Sequence, residues 1–251
     1  MYMKKIIFSL IGISISVALS AQTLSALDIV KKADSKTRGE SSYSEMTMTI
    51  VRPTWERSIS MKAWTKGTHL SLIKITAPAK DKGTGFLKRD KELWNWLPSI
   101  DRLIKMSSSV MGQSWMGSDF TNDDMVRESS IVKDYTQKLL GEENIRGFDC
   151  YKIELTPLPD AAVVWGKVIT WIDKELFNFV KTQNLDEDFE LAQTIEYFDV
   201  KLFGDRSLPS RMEITPAPEK GQKTVLAISK SQYNIPMQDN FFSQQNLKTI
   251  N

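Results

Sequence analysis

The sequence predicts a mainly β protein with a few helices, its strands antiparallel and arranged as a barrel or a sandwich, and three observations lead there. Short stretches of alternating polar and apolar residues follow one another from Met46 to Ile235. The segments between most of them are brief and rich in turn residues, too short for the helical crossovers that parallel strands require. A strong helix signal precedes them, bounded by Ser25 and Gly39.

The chain opens with Lys4 and Lys5, an uncharged run from Ile6 to Leu19, and the small residues Ser20 and Ala21. That run falls short of the roughly 20 residues a membrane-spanning helix needs, so residues 1–21 read as a Sec-type signal peptide cut after Ala21. Residues 22–251 remain, enough for one large β domain or two small ones, and a single domain is expected. Ser25 and Asp28 make a capping-box analogue, Leu24 and Ile29 occupy the staple positions, and Gly39 supplies the stop. Leu27, Val30 and Ala33 give this helix an apolar side, and Lys31, Lys32 and Lys36 a wet one. It packs against the sheet, as an ordinary amphipathic helix or as a lid.

Met46, Met48 and Ile50 alternate with Glu45, Thr47 and Thr49; after Arg52-Pro53-Thr54, Ile59, Met61 and Ala63 repeat the pattern. A hairpin follows from that. Residues 69–75 carry apolar side chains on both faces, and residues 77–85 make a surface loop. Trp94 and Trp96 then share one face of a strand whose other face holds Leu93 and Leu97, which marks it as interior. After Arg102, Ile104 and Met106 the pattern dissolves. Val110, Met111, Trp115, Met116, Phe120 and Met125 are interleaved with Gly112, Gly117 and serines, a composition suited to a segment that repacks around ligands of variable shape. Extended segments are expected again at 132–140, 150–157, 163–173, 177–185, 192–203, 211–216 and 224–235. Their separators include turns at 141–144 and 204–206. A short helix docked by Phe241 and Phe242 is expected at 239–247.

Composition narrows the function. Without residues 1–21 the 33 basic residues fall to 31, against 31 acids, because Lys4 and Lys5 are lost with no acid. A net charge near zero speaks against nucleic acid, which demands a positive footprint. One histidine and one cysteine cannot build a His/Cys zinc cluster or a disulfide within the chain, so no metal or cofactor is expected. Cys150 reads as a buried strand thiol and His69 as a strand-end residue. Asp119, Asp123 and Asp124 fit the capped start of a short helix better than a calcium loop, though Asp119 and Asp123 could serve as the carboxylate pair of a hydrolase. Seven tryptophans in such a chain favour either a large core or an apolar cavity. Trp165 and Trp171 fall on one face of one strand.

The run Trp94-Asn95-Trp96-Leu97-Pro98, followed by Arg102 and by Gly117-Ser118-Asp119-Phe120 with Asp123 and Asp124, resembles the signature of the LolA-like outer-membrane lipoprotein-sorting protein family. The order of helix and strands is similar over nearly the whole chain after residue 21. The resemblance implies an unclosed half β-barrel with helices packed in its concave side and an apolar cavity for acyl chains. The expected lining is Met46, Met48, Ile50, Met61, Trp94, Trp96, Met111, Trp115, Met116 and Phe120. It also implies a monomeric periplasmic carrier of lipoprotein or free lipid, in transient membrane contact, between an inner-membrane exporter and an outer-membrane acceptor. The alternatives are a module that docks an RND-type transporter without carrying lipid, and the hydrolase.

Overall fold

The computed structural model describes residues 24–90, 92–126, 130–217 and 221–250; the expected signal peptide lies outside them. Helix α1 (Ala26–Arg38) begins where the capping signal places it. The Ser25 hydroxyl accepts the Asp28 N–H at 3.1 Å and donates to the Asp28 carboxylate at 2.6 Å. Gly39 ends the helix at φ 66°, a conformation costly for side chains with a Cβ. Ile29, Val30 and Ala33 are buried, with Leu24 packed beside them.

Two meanders follow. The first comprises β1 (Ser41–Arg52), β2 (Trp55–Lys66), β3 (Leu70–Ala77), β4 (Gly85–Arg89), β5 (Glu92–Leu97) and β6 (Arg102–Met106). The second comprises β7 (Tyr135–Ile145), β8 (Phe148–Pro157), β9 (Lys167–Asp173), β10 (Phe179–Leu185), β11 (Leu191–Phe203), β12 (Arg206–Pro216) and β13 (Lys223–Tyr233). Antiparallel pairing of β1 with β13, which sets Met48 opposite Leu226, fuses them into one sheet of 13 strands. Its outermost strands are β6 and β7, neighbours in sequence that do not pair, so the barrel stays open. The chain between them, which includes the short helix α2 (Asn122–Val126), runs from one free edge to the other.

Strand alternation gives the sheet two apolar faces. The inner face carries α1, α2 and the connecting segment. Met48, Ile50, Ile59, Met61, Ile73, Ile75, Phe86, Ile195, Ile214 and Leu226 form its main core with Trp115 and Phe120. Ile153, Leu155 and Val168 form a second core with α1. On the outer face, Leu70, Leu72, Leu87, Trp94 and Trp96 pack against Phe242 and Leu247, the latter on helix α3 (Gln244–Thr249). The third helix thus sits opposite the other two. Its fit is tight: a Cβ on Gly85 would lie 2.6 Å from Leu247 Cδ1.

Three expectations change. Residues 141–144 are strand, not turn, because a bulge between Leu139 and Gly141 absorbs the glycine and moves the reversal to Arg146-Gly147. β12 starts at Arg206 rather than 211, with Pro209 opposite Val200. β13 pairs with β12 only from Arg211 to Ile214, so proline's missing N–H lies outside that ladder. Trp165 and Trp171 fall on opposite faces, since Trp165 precedes β9 and packs with the α1 core, whereas Trp171 packs with Cys150 and Val180. The intervening Gly166 is pressed against backbone, its hypothetical Cβ 2.3 Å from the Asp186 carbonyl oxygen.

Candidate functional site

The connecting segment is braced from within and pinned near its middle. Trp115 N–H donates to the Phe120 carbonyl at 2.8 Å across a tight loop in which Met116 and Gly117 both take positive φ. Trp115 is wholly buried and packs on Phe86, ring centroids 5.2 Å apart. Asn122 is buried and donates through Nδ2 to the Val110 and Gln113 carbonyls at 2.8 and 3.2 Å.

Asp119 pins the segment to the sheet. Arg52, at the end of β1, grips its carboxylate with two hydrogen bonds of 2.9 and 3.1 Å, and Thr224 of β13 donates to it at 2.7 Å. A forked guanidinium fixes direction as well as charge. Of the acidic set expected to cap this helix, Asp124 takes that role, with Thr121 as its partner. Thr121 Oγ1 accepts the Asp124 N–H at 3.1 Å, and the Asp124 carboxylate accepts the Thr121 N–H at 2.8 Å, a reciprocal box at the start of α2. Burial pushes the Asp124 carboxyl up to about 6, with the Asp123 charge adding to the rise and the Thr121 hydrogen bonds opposing it. Asp123 is itself buried.

A two-lobed cavity lies between the inner face, the end of α1 and α2. One lobe, about 150 Å³, is lined by Met46, Ala63, Ile73, Phe120, Met125 and Leu226 among others. The other, about 220 Å³, includes Arg38, Asp123, Trp165, Thr170, Thr182 and Asn184. Thr37, Asp124, Phe179, Tyr197 and Met212 line both. Each lobe is smaller than the roughly 300–1,000 Å³ usual for a ligand pocket. Admitting a long chain therefore requires side chains to move aside, and half-buried Met46, Met125 and Met212 are the flexible ones to do so. A wider groove of about 670 Å³ has mixed walls, with Glu45, Lys62, Lys74 and Lys82 beside Met46, Met61 and Ile75, so its charges border any chain laid in it.

The ten residues expected to line a cavity separate. Met46 and Phe120 lie on the apolar lobe, with Met48, Ile50, Met61 and Trp115 in the core around it and Met116 packed against that core. Met111 joins Leu93 in a small cluster beside β5. Trp94 and Trp96 face the other way, under Phe242 and Leu247, so the sheet itself stands between them and the cavity. Cys150 is buried, its thiol pushed up to about 11 chiefly by burial; His69 is exposed. Among the described residues no group of three His, Cys, Asp or Glu is placed to hold a metal, and no helix is long and apolar enough to cross a membrane.

Sequence reasoning missed Arg52, Thr37 and the second lobe. Arg52 meets Asp119 across 67 residues of sequence, which no local pattern reveals. The Thr121–Asp124 box was visible as a capping motif with Asp in place of Glu.

Comparison with known proteins follows the same lines. The model of a DUF1329-like family, described as uncharacterized protein, matches residues 67–249, more than half of the chain. A DUF1329 family protein from Desulfovibrio piger is 25% identical, with a TM-score of 0.80 over 88% of this chain and 97% of that one. A domain named for outer membrane lipoprotein sorting, from Vibrio parahaemolyticus, is 23% identical with a TM-score of 0.79 over 89% and 98%. A LolA superfamily protein from Nitrosomonas europaea is 24% identical with a TM-score of 0.78 over 89% and 100%. No curated protein matches in sequence. By the match over residues 67–249 the chain belongs to the DUF1329-like family, and its fold is similar to those of the LolA superfamily and lipoprotein-sorting structures, whose signature its stretch from Trp94 to Asp124 resembles.

Proposed function

We propose that the protein is a periplasmic carrier that shelters the acyl chains of a lipoprotein, or of a free lipid, in the cavity between the inner face and the connecting segment, on the way from inner to outer membrane. The observation that carries this reading is the apolar lobe, bounded by flexible methionines and covered by a segment strung between the two unpaired edges. Acyl chains entering it gain about 0.8 kcal/mol for each CH₂ removed from water, so two chains bind well without any ionic contact. Retention and release are balanced by repacking: the segment and α1 swing or slide to admit the chains and close again when they leave. The neighbours named for lipoprotein sorting and the LolA superfamily support the same role. Asp119 is held by Arg52, and one oxygen of the Asp124 carboxylate is held by the helix cap.

The test is native mass spectrometry of the protein purified gently from the periplasm, then solvent extraction. The proposal expects about one diacyl lipid or acylated peptide per chain. A clean protein mass, together with no uptake from lipid vesicles or acylated lipoprotein, would favour the docking module instead.

A further inference from the structure

One end of the cavity is polar in a way that acyl chains do not need. Two buried hydrogen-bond donors there have no partner, Trp165 Nε1 and Gln193 Nε2. Trp165 lines the polar lobe. Gln193 is only 5% exposed and stands on the inner face of β11 directly opposite Asn184, which lines the same lobe. Most buried donors in folded proteins are satisfied, so two orphans, one lining this lobe and one on the strand beside it, point to a missing acceptor. An acceptor of the protein's own is close at hand but does not close the gap. The Trp165 N–H lies near enough to the Asp124 carboxyl to pull its pKa down, yet it makes no hydrogen bond to it. Asp124 is also where the polar lobe meets the apolar one.

We propose that this lobe binds the polar linkage of the acylated cargo, a neutral group with a carbonyl acceptor beside an N–H or O–H donor: an amide or a hydroxy-ester. The inference rests on the carrier reading above. The carbonyl oxygen accepts from Trp165 and Gln193, the ligand's own donor turns to Asp124, and the attached chain runs into the lobe lined by Met46 and Leu226. A bare carboxylate or phosphate fits poorly. Asp34, Asp123 and Asp124 all border the lobe, and its guanidinium, Arg38, is already held by Asp34 at 3.0 Å. The lobe thus selects by linkage, while the methionine-lined lobe accepts tails of different shape.

The experiment presents one pyrene-labelled acyl chain in three forms at pH 7.5: as an N-alkyl amide, as a monoacylglycerol and as the free fatty acid. The amide and the monoacylglycerol should each bind about tenfold tighter than the acid, the scale of one or two well-made hydrogen bonds. The double variant Trp165→Phe, Gln193→Leu should lose most of that preference while still binding the chain; if it does not fold, Trp165→Phe alone gives the same readout. Preference for the amide over the ester would point to an N-acylated lipoprotein, and the reverse to a free glycerolipid, both within the proposal. Equal affinity for acid and amide, or a preference untouched by the variants, overturns the linkage site and leaves the carrier intact. A folded protein that binds none of the three forms removes both.

Discussion

The two faces of this sheet are similarly apolar and differ in what covers them. On the outer face, Phe242 and Leu247 interdigitate with Leu87, Trp94 and Trp96 so closely that Gly85 has no room for a methyl group. Lys74 reaches the end of α3 and donates to the Leu247 carbonyl at 2.7 Å, and burial lowers the pKa of its ammonium. On the inner face the cover is a segment hung between two free edges, tied by Asp119 to β1 and β13, and space remains beneath it. Large apolar side chains therefore do not mark a cavity by themselves. Space arises where the covering element is pinned at a few points instead of docked along its length.

Substitutions on the two faces should separate stability from loading. The largest stability effect belongs to the sealed side: Phe242→Ala should cost roughly 3–5 kcal/mol in denaturant melts, the usual price of a buried aromatic, yet leave lipid occupancy per folded molecule unchanged. An equal fall in occupancy would break the distinction between the faces. Next comes the tether. Asp119→Ala strands Arg52 in a largely desolvated position and should cost about 3 kcal/mol, while speeding lipid exchange with vesicles, because the segment loses its anchor. Destabilisation with unchanged exchange would make Asp119 a fold residue alone.

A smaller effect concerns Asp124, whose pKa in the fold is raised above its ordinary 3.8 to about 6. Between those values the folded state binds more protons than the unfolded one, so stability falls as pH rises through this window. The penalty is fully present above about pH 6 and relieved below about pH 4. Asp124→Asn should thus raise stability at pH 8 by up to about 3 kcal/mol and flatten the profile between pH 4 and 7. A steeper profile in the variant would contradict the assignment. The smallest change is Met46→Leu, a volume-conserving swap expected to cost under about 1.5 kcal/mol. Its effect should appear in the range of tail lengths accepted, read by competition between acyl chains, because branched leucine adapts less than methionine.

Much of the architecture was legible in the sequence. The capping pair Ser25 and Asp28, the stop at Gly39, the hairpin of Met46 to Ala63 and the alternation of the later strands all act locally, and each stands close to where periodicity places it. What escaped depends on distance. Nothing near Arg52 announces a partner 67 residues away, and nothing near β1 announces its pairing with β13. The site was half visible. Methionine and glycine between Val110 and Met125 signalled a cover that can repack, but alternation tells only that Trp94 and Trp96 share a face, not which cover that face receives. The polar lobe was invisible because it is assembled from α1, α2, Trp165 ahead of β9 and strands β7 to β12, with no motif in any one of them.

The central claim is that the inner face opens to acyl chains and the outer face does not. Its most direct test is photo-crosslinking with a lipid that carries a diazirine near the end of its acyl chain, followed by peptide mapping of the labelled residues. The account predicts labels at Met46, Met125 and Met212, with none at Trp94, Trp96 or Phe242. Labels concentrated on the outer-face tryptophans, or spread evenly over both faces, would contradict it.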